Sequence, residues 1–474
     1  MTAPSAASAS AVALSFSPLN ATTPIFSLPD EILLDIFEMA GAEDACALLC
    51  LSRTAKRFND LLQASITPWR AAYLARYNYP KPLPYPPTPW WCVELKERMF
   101  TERTMRDSNP DVTFTGALCD VLMGLMRDVS VRAVDEVVMR EAEVGDVQVA
   151  IANILHPPYN PRLSNGDRCF EALLHSPAFL HLYRHCAAQP LCNRYNNRPV
   201  SNGRTWRPHP RSVVFNQALC RLHLLRVDAK ADRGWLRVMV YCRQWMWPET
   251  PFRRDGTVAW SQVDAIGTLM YLNILDLVKN GQNEWRSALR PLAGIHQIRG
   301  VASPNPVDWA GVAGVWHGAY AFMHYPDWVT LNEPDMSGLT PAHLRYYEEN
   351  VGDMVEMVTQ VVSSEADIQA HAPAGMTPRS LATALPSSDR LPPIYFVGCA
   401  GGGVTAEMDA FMYGVVRLTP DDCVRWSFVI HYEGHDQWLM NGVQIGGVGS
   451  ARGWCGFWEE EQGIAHGPVW YWKA

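Results

Sequence analysis

Apolar residues four apart open the helix-like part of the chain. In SLPDEILLDIF, from Ser27 to Phe37, Ile32 stands four before Ile36 and Leu33 four before Phe37, while Asp30, Glu31, Asp35 and Glu38 fall elsewhere on the turn. That is the spacing of an amphipathic helix. Ser27 followed three positions later by Asp30 has the form of a capping box, and Pro29 suits a first turn that has no backbone acceptors, so a helix is expected to start here. Its stripe must bury against something. A turn signal at Gly41 follows, and then Ala45, Leu48, Leu49, Phe58, Leu61 and Leu62, interrupted by Arg53, Lys56 and Arg57, predict two more short helices. The stretch from Trp90 to Met99 also has helical spacing.

Helical periodicity dominates from Ser130 to Leu292. One segment carries Val214, Ala218, Leu222 and Leu225; another carries Val263, Ile266, Met270, Ile274 and Leu277, is apolar on nearly every side, and is therefore expected to be central. No period repeats through this region, which does not support a solenoid. In the last third the period changes to two. Trp426, Phe428, Ile430 and Tyr432 alternate with Arg425, Ser427 and His431, and FMYGVVRL joins that run through the turn TPDD. From Val315 onward there are about seven to nine such runs, enough to close an antiparallel barrel. Gly446, Gly447, Gly449 and Gly453 are expected to mark bends, since glycine tolerates backbone geometry closed to other residues.

Composition agrees with a core-forming chain: 48% hydrophobic and 19% charged residues over 474 positions point to several globular domains. A formal net charge of -8 argues against a dedicated nucleic-acid binder. The cysteines contain no CxxC pair, so neither a disulfide scaffold nor a zinc module is indicated and a reduced intracellular setting is expected; Cys46 and Cys50, one turn apart in an apolar run, read as core. Residues 1–24 have no Lys or Arg ahead of their apolar positions, which is poor for a secretory signal, and their Ala, Ser and Pro content suggests a disordered lead-in. No run is long and apolar enough for a membrane span.

Chemical motifs are sparse. GVGSARG lacks the Lys-Ser/Thr pair of a phosphate loop, and neither GxSxG nor HExxH occurs. His175, His181, His185, Cys186 and Cys192 lie close in sequence but lack a second paired element, so they read as structural. WEEEQ, from Trp458 to Gln462, reads as a solvated loop. No catalytic residue, metal site or cofactor is expected.

The order Leu28-Pro29-x-Glu31-Ile32-Leu33-x-x-Ile36-Phe37, with Glu43 and Asp44, Leu49, Leu51-Ser52, Lys56-Arg57-Phe58, Leu61 and a later Trp69, resembles an F-box. It departs from many F-boxes at Arg53-Thr54-Ala55, where an apolar residue and a Val-Cys pair are common. The resemblance implies a three-helix unit that docks the Skp adaptor of a cullin-RING ubiquitin ligase, with Leu28, Pro29, Ile32, Leu33, Ile36, Phe37, Leu49, Phe58 and Leu61 as adaptor-binding positions. A unit so short cannot bury a full core alone, which makes a docked partner physically reasonable.

GVWHGAY, from Gly314 to Tyr320, resembles the Gly-x-Trp start of a lipocalin-like barrel. Together with VRWSFV, GVQIGGVGSARG and the terminal WYWK it is similar to the C-terminal domain of fungal F-box proteins and, more distantly, to animal F-box receptors with a cyclin-binding barrel. Trp316 would then close one end, with Trp426 and Trp438 facing the interior. The expected fold class is an α+β multidomain chain: a lead-in at 1–24, the F-box at 25–70, a mostly helical middle at 71–305 and an antiparallel lipocalin-like β-barrel at 306–474. The function implied is that of a non-catalytic substrate receptor of an SCF-type ligase, cytoplasmic or nuclear, binding the Skp adaptor, the cullin complex and a protein target, with no nucleic acid and no membrane. The alternative is a carrier or sensor of a small apolar ligand built on the barrel; it would need a hollow interior. One charged feature remains. Between Ala172 and Val227 there are no carboxylates but many arginines, and Arg204, Trp206, Arg207 and Arg211 are candidates for receiving an acidic or phosphorylated target.

Overall fold

The computed structural model describes residues 24–77, 90–107, 115–128, 165–184, 210–227, 230–243, 249–289, 307–333, 344–401, 410–448, 450, 452–461 and 465–474. The chain divides into two compact units, Met1–Arg76 with Pro84–Lys96, and Tyr77–Leu83 with Glu97–Ala474. The middle region and the C-terminal region therefore share one unit.

The first unit contains α1 (Asp30–Glu43), α2 (Ala45–Thr54), α3 (Lys56–Ala64) and α4 (Thr67–Arg76). Two local expectations are corrected. The helix starts later than expected: a 3-10 turn occupies Pro24–Ser27, and Pro29 rather than Ser27 stands at the N-cap of α1, which begins at Asp30. Gly41 is not a turn either. The helix runs through it to Glu43, and a Cβ at Gly41 would lie 2.8 Å from Leu48 Cδ1 and 3.2 Å from the Ala72 Cβ. The missing side chain is what lets α1 approach its neighbours. The break comes at Asp44 instead, whose carboxylate accepts from the Cys46 amide at 2.9 Å and caps α2. Leu33, Phe37, Leu48, Phe58, Leu62, Trp69 and Tyr73 form the core. Phe58 stacks on Phe26 at 5.0 Å and meets Phe37 edge-on at 5.2 Å, and the indole of Trp69 donates to the Leu62 carbonyl at 2.7 Å. Cys46 and Cys50, expected in this core, are exposed, because α2 turns Ala45 and Leu48 inward instead.

In the second unit the expected central helix is Trp260–Lys279, buried along nearly its whole length. Its Asp264 accepts from the Tyr183 hydroxyl at 2.6 Å and lies 2.7 Å from His223 Nδ1, while the Tyr183 ring stacks on His223 at 3.7 Å. A buried carboxylate so fully engaged ties three segments together.

Among the described residues nine strands follow: β1 (Gly314–Met323), β2 (Glu349–Val351), β3 (Val355–Val362), β4 (Ile394–Gly401), β5 (Ala410–Leu418), β6 (Val424–Tyr432), β7 (His435–Gln444), β8 (Trp454–Glu460) and β9 (His466–Lys473). β1 and β3 to β9 run antiparallel in order, and β9 pairs back onto β1 from Trp316↔Lys473 to Tyr320↔Val469, closing an eight-strand barrel. β2 pairs with the far half of β1. The fold class is thus N-terminal helices, further helices in the middle and a C-terminal antiparallel barrel. Gly446, Gly447 and Gly453 have φ of 91°, 90° and 104°, the left-handed geometry expected at bends; Gly449 lies outside the described residues. WEEEQ is not a solvated loop at its start: Trp458, Glu459 and Glu460 end strand β8, and Trp458 points into the barrel core.

The outer wall at β8 and β9 is covered by the middle helices. Trp470 donates to the Ala288 carbonyl at 3.3 Å, the Cys455 thiol faces the Val263 carbonyl at 3.8 Å, and Trp470 and Trp472 are buried although Tyr471 between them belongs to the interior. A strand covered on both faces has no polar side, which is why PVWYWK does not alternate. Across β2, Arg237 pairs with the buried Glu349 at 3.3 Å, and the Tyr241 hydroxyl donates to the same carboxylate at 2.6 Å.

Candidate functional site

In the first unit the apolar stripe of α1 divides in two. Leu33 and Phe37 lie inside, with Gly41 continuing the same face; Ile32 and Ile36 lie on another, and Met39, seven after Ile32, extends it. Ile32 is 45% exposed and Met39 63% exposed, while Ile36 is half-buried. Leu28 is half-buried and Pro29 exposed at the mouth of this face. The nine expected adaptor positions therefore separate by burial: Leu33, Phe37 and Phe58 are interior and can only shape the unit, whereas Leu28, Pro29, Ile32, Ile36, Leu49 and Leu61 keep surface to offer. Met39 escaped the sequence reading, although its i+7 spacing from Ile32 was the signal.

The loop that carries Leu28 and Pro29 is held from behind. The guanidinium of Arg57 donates to the Phe26 carbonyl at 2.6 Å and to the Leu28 carbonyl at 2.8 Å, and its Nε donates to the Asp30 carboxylate at 3.1 Å. One planar fork thus fixes the chain on both sides of Pro29, a task a lysine could not repeat. Phe58, the next residue, is locked in the core, so the clamp is anchored to α3. Burial, followed by the nearby Asp44 carboxylate, pushes the Cys46 thiol above its ordinary range, which disfavours the thiolate.

In the second unit Trp316 and Trp426 are buried in the barrel interior, edge to face at 5.1 Å, and Trp438 packs partly buried against the same core, edge-on to Trp458 at 5.2 Å. Trp454 stacks on Trp426 at 5.9 Å and on Tyr471 at 4.7 Å. Gly442 makes the room: a Cβ there would lie 2.5 Å from the Trp454 ring. The Trp316 end is stopped by Ala310 and Val312, with the Trp316 indole donating to the Val312 carbonyl at 2.9 Å; buried Gln444 accepts from the Trp426 indole at 3.2 Å and donates to the Ala310 carbonyl at 3.1 Å. Aromatic rings occupy this interior.

Arg204, Trp206 and Arg207 lie outside the described residues, as do His185, Cys186 and Cys192; Arg211 is in the helix Pro210–His223, but its side chain lies outside the description. Among the described residues no group of three or more His, Cys, Asp or Glu side chains is arranged to hold a metal ion, and no helix is long and apolar enough to cross a membrane.

Compared with known families, residues 25–75 match the F-box-like model. No curated protein and no solved structure matches the chain. The matched span coincides with α1 to α4 and contains the whole divided stripe.

Proposed function

We propose that this protein is the substrate-receptor subunit of an SCF-type cullin-RING ubiquitin ligase, docking the Skp adaptor through residues 25–70 and presenting a target through the second unit. The observation that carries the reading is the outward face of Ile32, Ile36 and Met39 on an F-box-like domain, beside a Leu28-Pro29 loop that Arg57 holds in place. Burying such a face against a partner supplies association energy, and a pre-fixed loop spends little of it on ordering. The role is non-catalytic, and its setting is cytoplasmic or nuclear. The Gly314-x-Trp316 start of an eight-strand antiparallel barrel supports a lipocalin-like relationship. The packed tryptophans favour a protein target over a small apolar ligand held inside the barrel.

The test is co-purification of the tagged full-length chain with a Skp adaptor and cullin. Replacing Leu28 and Pro29 together by Ala should weaken adaptor association by about 2–4 kcal/mol if the partner covers both; unchanged recovery would refute the docking face. Arg204, Trp206, Arg207 and Arg211 are proposed as target contacts. Reversing the charge of the three arginines should abolish target capture and leave adaptor binding intact, and unaltered capture would remove them from the site.

A further inference from the structure

Two arginines stand side by side on the outer wall of the barrel, and among the described residues no carboxylate lies within ion-pair distance of either. Arg417 on β5 and Arg425 on β6 are Cα partners across the antiparallel ladder, flanking the hairpin turn TPDD. Like charges directly opposite each other on one face oppose sheet pairing unless something neutralises them. Among the described residues neither forms an ion pair. Arg425 is only 2% exposed; its Nη2 donates to Ser387 Oγ at 2.7 Å, its guanidinium lies over the Phe252 ring at 5.5 Å, and its buried Nη1 has no acceptor.

Both arginines line an open cavity of about 520 Å³ between the strand wall and the segment from Arg379 to Leu385. Glu249 and Glu459 also line it; Glu249 shares the one proton of the Thr383 hydroxyl, whose oxygen lies 2.9 and 3.0 Å from its two carboxylate oxygens, and neither carboxylate forms an ion pair with Arg417 or Arg425. Glu249 raises the Arg425 pKa only as the smallest of three influences: burial first and Arg417 second push the guanidinium down to about 10, so it stays charged at neutral pH. Arg379, at the rim, reaches Glu461 only at 3.9 Å. A buried, charged donor without an acceptor is costly, and two guanidinium forks converging on one cavity present the donor pattern that a planar or tetrahedral oxyanion satisfies.

We propose that this cavity is a binding site for the oxyanion of a phosphate monoester, with Arg417 and Arg425 as its ligands. The incoming group supplies the acceptor that Arg425 Nη1 lacks and relieves the repulsion between the two strands' side chains. Leu381, Leu385, Val429, Leu439 and Phe457 line one part of the rest, beside polar groups that include Asn441 and Glu459, so the anion sits on an organic body with both apolar surface to bury and polar groups to match. That body is either a free small molecule or a side chain of another polypeptide; the oxyanion chemistry is common to both. The site stands apart from the adaptor-docking reading and does not depend on it.

The full-length chain tests this directly. Thermal midpoint and calorimetric titration are measured with inorganic phosphate, with phenyl phosphate and with a phosphoserine peptide, each against sodium chloride at the same ionic strength. The phosphates should raise the midpoint in a dose-dependent way that chloride does not, and Arg417→Gln should weaken binding roughly tenfold or more, the loss of one charge-assisted contact. Arg425→Gln should do the same; should that variant fail to fold, the half-buried Arg417 decides the question. Glu249→Gln should tighten binding by removing a competing negative charge. No rise beyond chloride, or an equal rise in Arg417→Gln, overturns the proposal. Given a response, equal affinity for phenyl phosphate and peptide assigns the site to a small molecule, and a peptide bound roughly tenfold tighter assigns it to a polypeptide segment.

Discussion

The helical unit and the barrel handle apolar residues in opposite ways. In α1 adjacent positions part company, Leu33 and Phe37 inward and Ile32 and Met39 outward. In the barrel, alternate residues of β6 and β8 turn inward and meet as one aromatic core, and on β9 the outward residues are covered too. The contrast follows from size. A short bundle has too little interior to absorb every apolar side chain its helices carry, so the surplus marks where another molecule can sit; a closed barrel backed by helices takes in most of them, leaving Val315, Phe322 and Val358 of β1 and β3 exposed.

The sharpest way to break this comparison is to empty the barrel. Trp454→Ala removes a ring fully buried between Trp426 and Tyr471, and should lower the unfolding free energy of the second unit by about 3–5 kcal/mol in denaturant titrations while leaving adaptor recovery untouched. A loss near zero would mean that the interior is not packed as described. The converse experiment sits on one turn of α1. Ile32→Asp should weaken the adaptor complex by about 2–3 kcal/mol with the unfolding midpoint nearly unchanged, whereas Leu33→Asp should unfold the unit. If the two variants behaved alike, the stripe would not be divided.

The smallest effect comes from pH. His466 on β9 is held down to about 4 from its ordinary 6.5, first by burial and then by Arg243, against hydrogen bonds to Val240 and Tyr241 that favour its charge. Its folded form therefore resists protonation that the unfolded chain accepts. Stability from this residue is complete above pH 6.5 and drains away as the pH falls toward 4, at no more than about 1.4 kcal/mol for each pH unit. His466→Gln should flatten the stability profile in that window; an unaltered slope would assign acid sensitivity to other groups.

The long elements were legible in the sequence because each carries one uninterrupted period. The central helix is apolar all round, and the β5–β6 hairpin alternates cleanly around TPDD. Errors arose where composition stood in for position. Gly41 has the residue type of a turn but the role of a close contact, which becomes visible only when Leu48 and Ala72 are in place. The acidic run after Trp458 hid the end of a strand. Cys46 and Cys50 share a run with apolar residues, but the helix shows that face to solvent. Of the proposed docking face, Leu28, Pro29 and Ile32 were readable, while the Arg57 clamp was not, since its acceptors include main-chain carbonyls that no sequence displays. The cavity was hidden for another reason: its walls come from distant segments, although Arg417 and Arg425, placed symmetrically about one hairpin turn, could have been paired by counting outward.

The seam between β1 and β9 has a consequence in time. Every other barrel pairing joins strands that are neighbours in order, whereas this one brings residues 316–320 together with 469–473. Closing so long a loop is slow compared with zipping a hairpin, so refolding of the barrel should wait on its last ladder, while the helices of the first unit, whose contacts are local, assemble early. During that wait the flanks of β1 and β9 stand open to pairing with another chain, which makes the half-built barrel the stage at which this protein is most exposed to aggregation.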